Sequence, residues 1–81
     1  MKKFKIGGKI ILEDNVSYRI LDMLYYNGEK YLFCCTEVKP IESKILHCIE
    51  EYGEVYVGIE TNEKIIWDIS KKIINNDSKL V

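Results

Sequence analysis

The dipeptide Asn27-Gly28 constrains the fold of this chain most strongly, because it separates two runs of apolar and aromatic residues. Both central positions of a type I′ turn need positive φ, which asparagine tolerates and glycine adopts freely. The sequence therefore predicts a two-residue β-hairpin in which Tyr26 faces Glu29.

Counting outward from this turn gives the register of the hairpin, since paired residues move in opposite directions along antiparallel strands. The predicted pairs are Leu24 with Tyr31, Met23 with Leu32, Asp22 with Phe33 and, in an unbulged ladder, Leu21 with Cys34 and Ile20 with Cys35. Successive side chains of a strand point to opposite faces, so Cys34 and Cys35 diverge.

Other turn signals divide the rest of the chain into short strands. Apolar stretches at 9–12, 16–26, 44–51 and 55–60 are separated by Glu13-Asp14-Asn15, by a loop around Pro40 and by Tyr52-Gly53-Glu54. Strands of this length between closely spaced turns are typical of an antiparallel meander. Gly7-Gly8 predicts a break or bulge before the first strand.

A C-terminal helix is predicted after Thr61 or Asn62, either of which can cap it. Ile66, Ile69 and Ile73 recur at helical spacing, and 75–78 predicts its end. The predicted fold class is α+β: a small antiparallel β-meander of about four to five strands with one C-terminal helix packed on one face. We expect one domain at 1–76 and a polar tail at 77–81.

Composition and charge limit the classes of partner. The chain of 81 residues is 47% apolar and 31% charged, a globular balance, and its formal charge is −1. Such a balance gives no long-range attraction to nucleic acid or to an anionic membrane, so neither partner is expected. The longest apolar run near the N-terminus, residues 10–12, is too short for a secretory signal, and we expect a cytoplasmic protein.

All three cysteines and the only histidine fall within residues 33–48. Neither the zinc-knuckle spacing nor the Cys-x-x-Cys redox spacing is present, and the cysteines lie in predicted strands. We therefore interpret them as buried small hydrophobic residues and expect no metal and no cofactor. A slip of register, or a place at a sheet edge, would leave one thiol exposed.

No catalytic pattern surrounds His47, which lacks a serine, a second histidine or a carboxylate at a recognisable spacing. Gly7-Gly8 lacks the spacing of a phosphate-binding loop. The acidic pairs Glu13-Asp14 and Glu50-Glu51 are typical of solvated turns and strand ends. The sequence predicts that the protein is not an enzyme.

The aromatic residues are the candidate partner-binding residues. Five tyrosines lie around two of the predicted turns, and a tryptophan borders the apolar stripe of the helix. Tyrosine and tryptophan give rigid contact area in protein interfaces, although they also serve as ordinary packing residues. The candidates are Tyr25, Tyr26, Tyr31, Tyr52, Tyr56 and Trp67.

The stretch "SYRILDMLYYNGEKYLFCCTE", the strand that ends near "IEEYGE" and the helix entered through "IETNEKIIWDISKKI" together resemble the YrzB-like family of small uncharacterised bacterial proteins. Members place an apolar strand, a hairpin, a further strand pair and a short helix in this order. The resemblance covers roughly residues 10 to 74 and implies the same architecture. It implies no activity and no binding residues.

These observations predict a non-enzymatic, cytoplasmic binding domain that contacts another protein through an exposed sheet edge or the tyrosine-rich hairpin. One alternative is a phage or mobile-element inhibitor of a host enzyme, which would use the same surfaces. Another is a self-associating structural domain, in which a second copy covers an edge strand.

Overall fold

The computed structural model describes residues 4–79, with side chains described through residue 75. It consists of five antiparallel strands followed by one α-helix, which confirms an α+β meander with a C-terminal helix. The elements are β1 (Lys9–Ile11), β2 (Ser17–Tyr26), β3 (Glu29–Thr36), β4 (Ser43–Glu51), β5 (Glu54–Ile59) and α1 (Glu63–Lys79).

Every strand pairs with its neighbour in sequence, so the sheet order is β1-β2-β3-β4-β5 and the edge strands are β1 and β5. The sheet is curled, since Ile10 of β1 and Val57 of β5 contact the same apolar cluster. The curl divides the sheet into an inner face, which includes Leu32 and Leu46, and an outer face, which includes Tyr31.

The predicted register of the β2–β3 hairpin is confirmed from the turn through Asp22 and then shifts by one residue. Beyond the shift Ile20 pairs with Cys34 and Arg19 with Cys35, so the predicted pairs of Leu21 with Cys34 and Ile20 with Cys35 are wrong. Leu21 is the extra residue of a β-bulge. The bulge reverses the alternation of side chains, which keeps both Ile20 and Met23 in the inner cluster.

The inner face carries the larger apolar cluster. Its buried members are Ile10, Tyr18, Ile20, Leu32, Cys34, Leu46 and Cys48, with Phe4, Leu12, Val16, Met23 and Val57 packed against them. Leu32, Cys34 and Leu46 have no exposed surface. Burial of a leucine or isoleucine side chain contributes about 1.5–3 kcal/mol, so β2, β3 and β4 all contribute to the stability of the sheet.

The outer face carries a smaller cluster in which Ile69 of α1 is buried together with Tyr31 and Ile45. The side chain of Asn62 caps the helix by accepting hydrogen bonds from the backbone N–H groups of Lys64 (3.0 Å) and Ile65 (3.3 Å). Asn62 is therefore the cap, one of the two predicted residues.

The helix runs further than the sequence predicts, because it continues to Lys79 through the asparagines and aspartate that were expected to end it. The physical reason is that Asn and Asp only weakly disfavour a helix, at a cost below about 0.7 kcal/mol each, whereas glycine or proline would end it. The predicted polar tail at 77–81 therefore begins within the helix, and its residues 80 and 81 lie outside the described residues.

Within residues 4–79, no helix has the length and apolar character needed to cross a membrane.

Candidate protein-interaction surface

The outer edge of β5 is open in the described part of the chain, because β5 has a strand neighbour on one side only. The backbone N–H of Glu60, just beyond the strand, donates to the carbonyl of Ile45 in β4 at 2.8 Å. Donors alternate in direction along a strand, so the N–H groups of Val55, Val57 and Ile59 point away from β4. These three donors are available to an added strand.

The two edges of the sheet differ in their protection. Strand β1 has only three residues, and Lys9 is one of them. Strand β5 has six residues, reads Glu-Val-Tyr-Val-Gly-Ile, and contains neither the lysine nor the proline that usually guard an edge. Of the two described edges, β5 is the longer and the one without a lysine.

Tyr52 lies in the turn that leads into β5 and has a backbone rarely seen for a bulky residue. Its φ is 51°, and that of Gly53 is 80°, the pattern of a type I′ turn. The side chain of Tyr52 is fully exposed, with 102% of its reference surface accessible. Tyr52 belongs to neither apolar cluster, so packing does not account for a tyrosine with this unfavourable φ.

Tyr56 is the second aromatic residue at this edge. It is 53% exposed and lies opposite Ile49 of β4, which is 40% exposed. Its hydroxyl donates to a carboxylate oxygen of Glu54 at 2.6 Å, and this hydrogen bond raises the pKa of Tyr56 above its ordinary value. We call the outer edge of β5 together with Ile49, Tyr52 and Tyr56 the β5 surface.

Tyr25 and Trp67 are two further exposed candidates. Tyr25 is 68% exposed and lines a groove of about 320 Å³ with Phe4 and Val55. Trp67 is 62% exposed on α1, with the Lys71 ammonium 5.2 Å from its ring centre. Tyr25 thus shares a groove with Ile49 and Val55 of the β5 surface, whereas Trp67 lies apart on α1.

Tyr26 and Tyr31 make contacts within the fold. The Tyr26 hydroxyl donates to Asp68 of α1 at 2.6 Å, which ties the hairpin to the helix, and this bond raises the pKa of Tyr26. Tyr31 is 1% exposed. A side chain so deeply buried offers almost no surface to a partner in this structure.

Tyr31 stacks on His47, with ring centroids 4.5 Å apart and ring planes 9° from parallel. Two carboxylates approach the imidazole: Glu29 Oε2 lies 3.1 Å from Nε2, and Glu60 Oε1 lies 3.9 Å from Nδ1. The sequence interpretation missed both contacts, because these residues are 18 and 13 positions away from His47. Extending the hairpin register to β4 and β5 would have revealed them.

The carboxylates lie at opposite ends of the imidazole ring, so the three groups do not converge on one point. Among the described residues, no three His, Cys, Asp or Glu side chains are arranged to hold a metal ion. The His47 ring stacks on the buried Tyr31, and despite the nearby Glu29 its Nε2 makes no hydrogen bond within the described residues. The arrangement supports packing of the outer face.

The cysteines are free thiols that differ in exposure. Cys34 and Cys48 are buried on the inner face, as the sequence predicts, whereas Cys35 is half-buried. Burial raises the pKa of the Cys34 thiol to about 12, and burial also raises that of Cys48. A thiol with so high a pKa is a poor nucleophile near neutral pH.

Comparison of the chain with protein-family models, with curated proteins and with solved structures finds no match in any of the three.

Proposed function

We propose that this protein is a non-enzymatic binding domain that accepts an extended segment of another protein as a sixth strand beside β5. The open outer edge of β5 is the observation that carries this proposal. In strand addition the main-chain hydrogen bonds provide affinity, while neighbouring side chains provide specificity. The outward N–H groups of Val55, Val57 and Ile59 supply the main-chain donors.

Tyr52 and Tyr56 supply the neighbouring side chains that provide specificity. Aromatic side chains beside a docked strand are the kind of residue that dominates the energy of protein interfaces. Tyr52 is fully exposed in a strained turn at one end of the edge, and Tyr56 lies in the edge strand itself. A partner strand on β5 would contact both rings without any rearrangement of the core.

Three further features belong to the same proposal. The helix covers the outer face of the sheet, which the burial of Ile69 with Tyr31 and Ile45 supports. The protein works in the cytoplasm, a compartment that suits its three free cysteines. We also propose a relationship to the YrzB-like family, which rests on the sequence resemblance over residues 10 to 74 alone.

A photo-crosslinking experiment tests the proposal. Tyr52 is replaced by p-benzoylphenylalanine, and the protein is irradiated in an extract of the cells that naturally make it. We expect one dominant adduct with another protein. The same photoreactive group in place of Trp67 on α1 is the positional control and should give no such adduct.

Two variants of Val57 provide the decisive comparison. Val57→Pro removes an outward N–H and no hydrogen bond to β4, so the sheet should remain folded while the adduct is lost. Val57→Ala keeps the N–H, removes part of the same side chain and should keep the adduct. An adduct that survives Val57→Pro in a folded protein contradicts strand addition, and an adduct between two copies of the chain replaces it with self-association.

A further inference from the structure

The charge around β5 differs from that of the whole chain. Residues 45–63 contain five glutamates and neither lysine nor arginine, so this segment carries a formal charge of −5 while the chain carries −1. The glutamates are Glu50, Glu51, Glu54, Glu60 and Glu63. The near-neutral total therefore conceals an acidic segment of the chain that includes all of β5, and the nearest described cations are Lys30 and Lys44, which line grooves with Val55 and Ile59.

Most of these carboxylates are accessible to a partner. Glu51 pairs with Glu54 at the start of the β4–β5 hairpin, and both are exposed. Glu50 and Glu63 are also exposed. Glu60 is the exception, because its carboxylate accepts the backbone N–H groups of residues 61 and 62. The open edge thus has acidic side chains at its beginning and beyond its end.

We propose that the segment that docks on β5 is basic: an extended stretch in which lysine or arginine alternates with apolar residues. This inference rests on the proposed function, and it names the chemistry of the partner. Val55 and Val57 share the inner face of β5, whereas Glu54 and Tyr56 share the outer face. A strand that matches both faces places apolar side chains on one side and cations on the other.

Both Glu54 and Tyr56 can bind a cation of the partner. A lysine or arginine beside Glu54 forms an ion pair, and one over the exposed ring of Tyr56 forms a cation–π contact. The next outer-face position is Gly58, where an added Cβ would meet nothing within 4 Å. A long basic side chain therefore has room to cross the edge at that point.

A second copy of the chain is a poorer occupant of this edge. Antiparallel pairing of two β5 strands would bring the glutamates of one copy close to those of the other. Like charges opposite one another destabilise a ladder, so the acidic edge disfavours self-pairing while it attracts a basic strand.

Two synthetic peptides test the inference. The probe is acetyl-Lys-Val-Lys-Val-Lys-Val-Lys-amide, and its matched control carries Nε-acetyl-lysine at every lysine, which keeps length and backbone but removes the charge. Binding is followed by NMR on the isotope-labelled full chain. We expect the Val55, Val57 and Ile59 amides to shift and to gain protection from hydrogen exchange.

We expect the charged peptide to bind about tenfold more tightly than its acetylated control, and this advantage should shrink as NaCl rises from about 0.05 to about 0.5 M. Glu51→Gln/Glu54→Gln should reduce binding of the charged peptide about three- to tenfold. Glu13→Gln/Glu42→Gln, which removes the same charge from other turns, should have little effect.

The outcomes separate the two proposals. Equal affinity of both peptides at the β5 amides overturns the basic partner and leaves strand addition standing. If neither peptide shifts those amides at millimolar concentration, strand addition fails and the inference fails with it. Charge-dependent binding that shifts residues of α1 or the β2–β3 hairpin instead of β5 also overturns the inference.

Discussion

The β2–β3 and β4–β5 hairpins have nearly the same turn backbone but different surroundings. In the β2–β3 turn, φ is 52° at Asn27 and 78° at Gly28. In the β4–β5 turn, φ is 51° at Tyr52 and 80° at Gly53. Asparagine tolerates this left-handed conformation, whereas a tyrosine there is an outlier. One geometry is thus built once from suitable residues and once with a strained aromatic residue.

Their neighbours explain the difference. The β2–β3 hairpin has a strand on both sides, carries the buried Tyr31, and is tied to α1 through Tyr26. The β4–β5 hairpin ends in an open edge, and its Tyr52 and Tyr56 are exposed. Aromatic residues stabilise the first hairpin, while in the second they form the proposed binding surface.

Truncating one tyrosine in each hairpin should give the largest difference between the two hairpins in the free energy of unfolding. Tyr31→Ala removes a buried ring and should lower the free energy of unfolding by about 3–5 kcal/mol. Tyr52→Ala removes an exposed ring and should change it by less than about 0.5 kcal/mol. Urea denaturation measures both, and losses of similar size would contradict the assignment of the two hairpins.

Exchanging the turn residues should have a smaller effect. Tyr52→Asn relieves the unfavourable φ and should stabilise the protein by about 1 kcal/mol, while Asn27→Tyr should destabilise it by about the same amount. Urea midpoints report the two changes. If Tyr52→Asn stabilises the fold and also weakens partner capture, the strain at Tyr52 is linked to binding; a loss of stability would show that Tyr52 serves folding.

The two short tyrosine–carboxylate hydrogen bonds, one in each hairpin, should also differ in how much they contribute to stability. Tyr26→Phe breaks a bond between hairpin and helix and should lower the urea midpoint, whereas Tyr56→Phe breaks a bond between residues two positions apart and should hardly move it. Both bonds raise the tyrosine pKa above the ordinary value of 10.0.

The sign of the pH dependence follows from these raised pKa values. A phenol held neutral in the folded state contributes its stability below pH 10 and loses it as the pH rises through the raised pKa. The difference in midpoint between wild type and Tyr26→Phe should therefore stay constant below pH 10 and shrink as the pH rises above the ordinary tyrosine pKa of 10.0. A difference that does not vary with pH would mean that the hydroxyl of Tyr26 is unimportant for stability.

Thiol labelling sharpens the comparison without changing the stability. At pH 8 we expect iodoacetamide to react first with the half-buried Cys35 and last with Cys34, whose pKa is about 12. Cys48 pairs with Lys30 of β3 and Val57 of β5, so it should react before Cys34 if the β4–β5 hairpin opens more readily. Mass spectrometry of the labelled peptides gives the order in which the three cysteines react. Faster labelling of Cys34 than of Cys48 would contradict the expectation that the β4–β5 hairpin opens more readily.

The sequence predicted those parts of the fold that depend on local signals. Asn27-Gly28 fixed the turn and the register through Asp22, because few residue pairs adopt positive φ at two successive positions. The bulge at Leu21 was not predictable, because the consecutive apolar residues at 20–21 and 23–24 fit either register. The packing of the inner cluster, rather than any local pattern, selects the observed one.

The candidate surface was only partly predictable for a similar reason. The sheet face of each tyrosine follows from counting residues from the turns, and this count places Tyr56 on the opposite face of β5 from Val55 and Val57. Exposure depends on neighbours that are distant in sequence, which is why Tyr31 was grouped with Tyr52 although only Tyr52 is exposed. The acidic segment that includes β5 was hidden by counting charge over the whole chain.

The strict sequence order of the strands also has a consequence for how the chain reaches its native state. When every strand pairs with its neighbour in sequence, each new contact closes only a short loop, and such topologies fold faster than sheets built from distant segments. The sheet can grow outward from the central hairpin, strand by strand. The β5 edge would then be completed late, so a chain that has not finished folding would not yet offer the strand on which a partner docks.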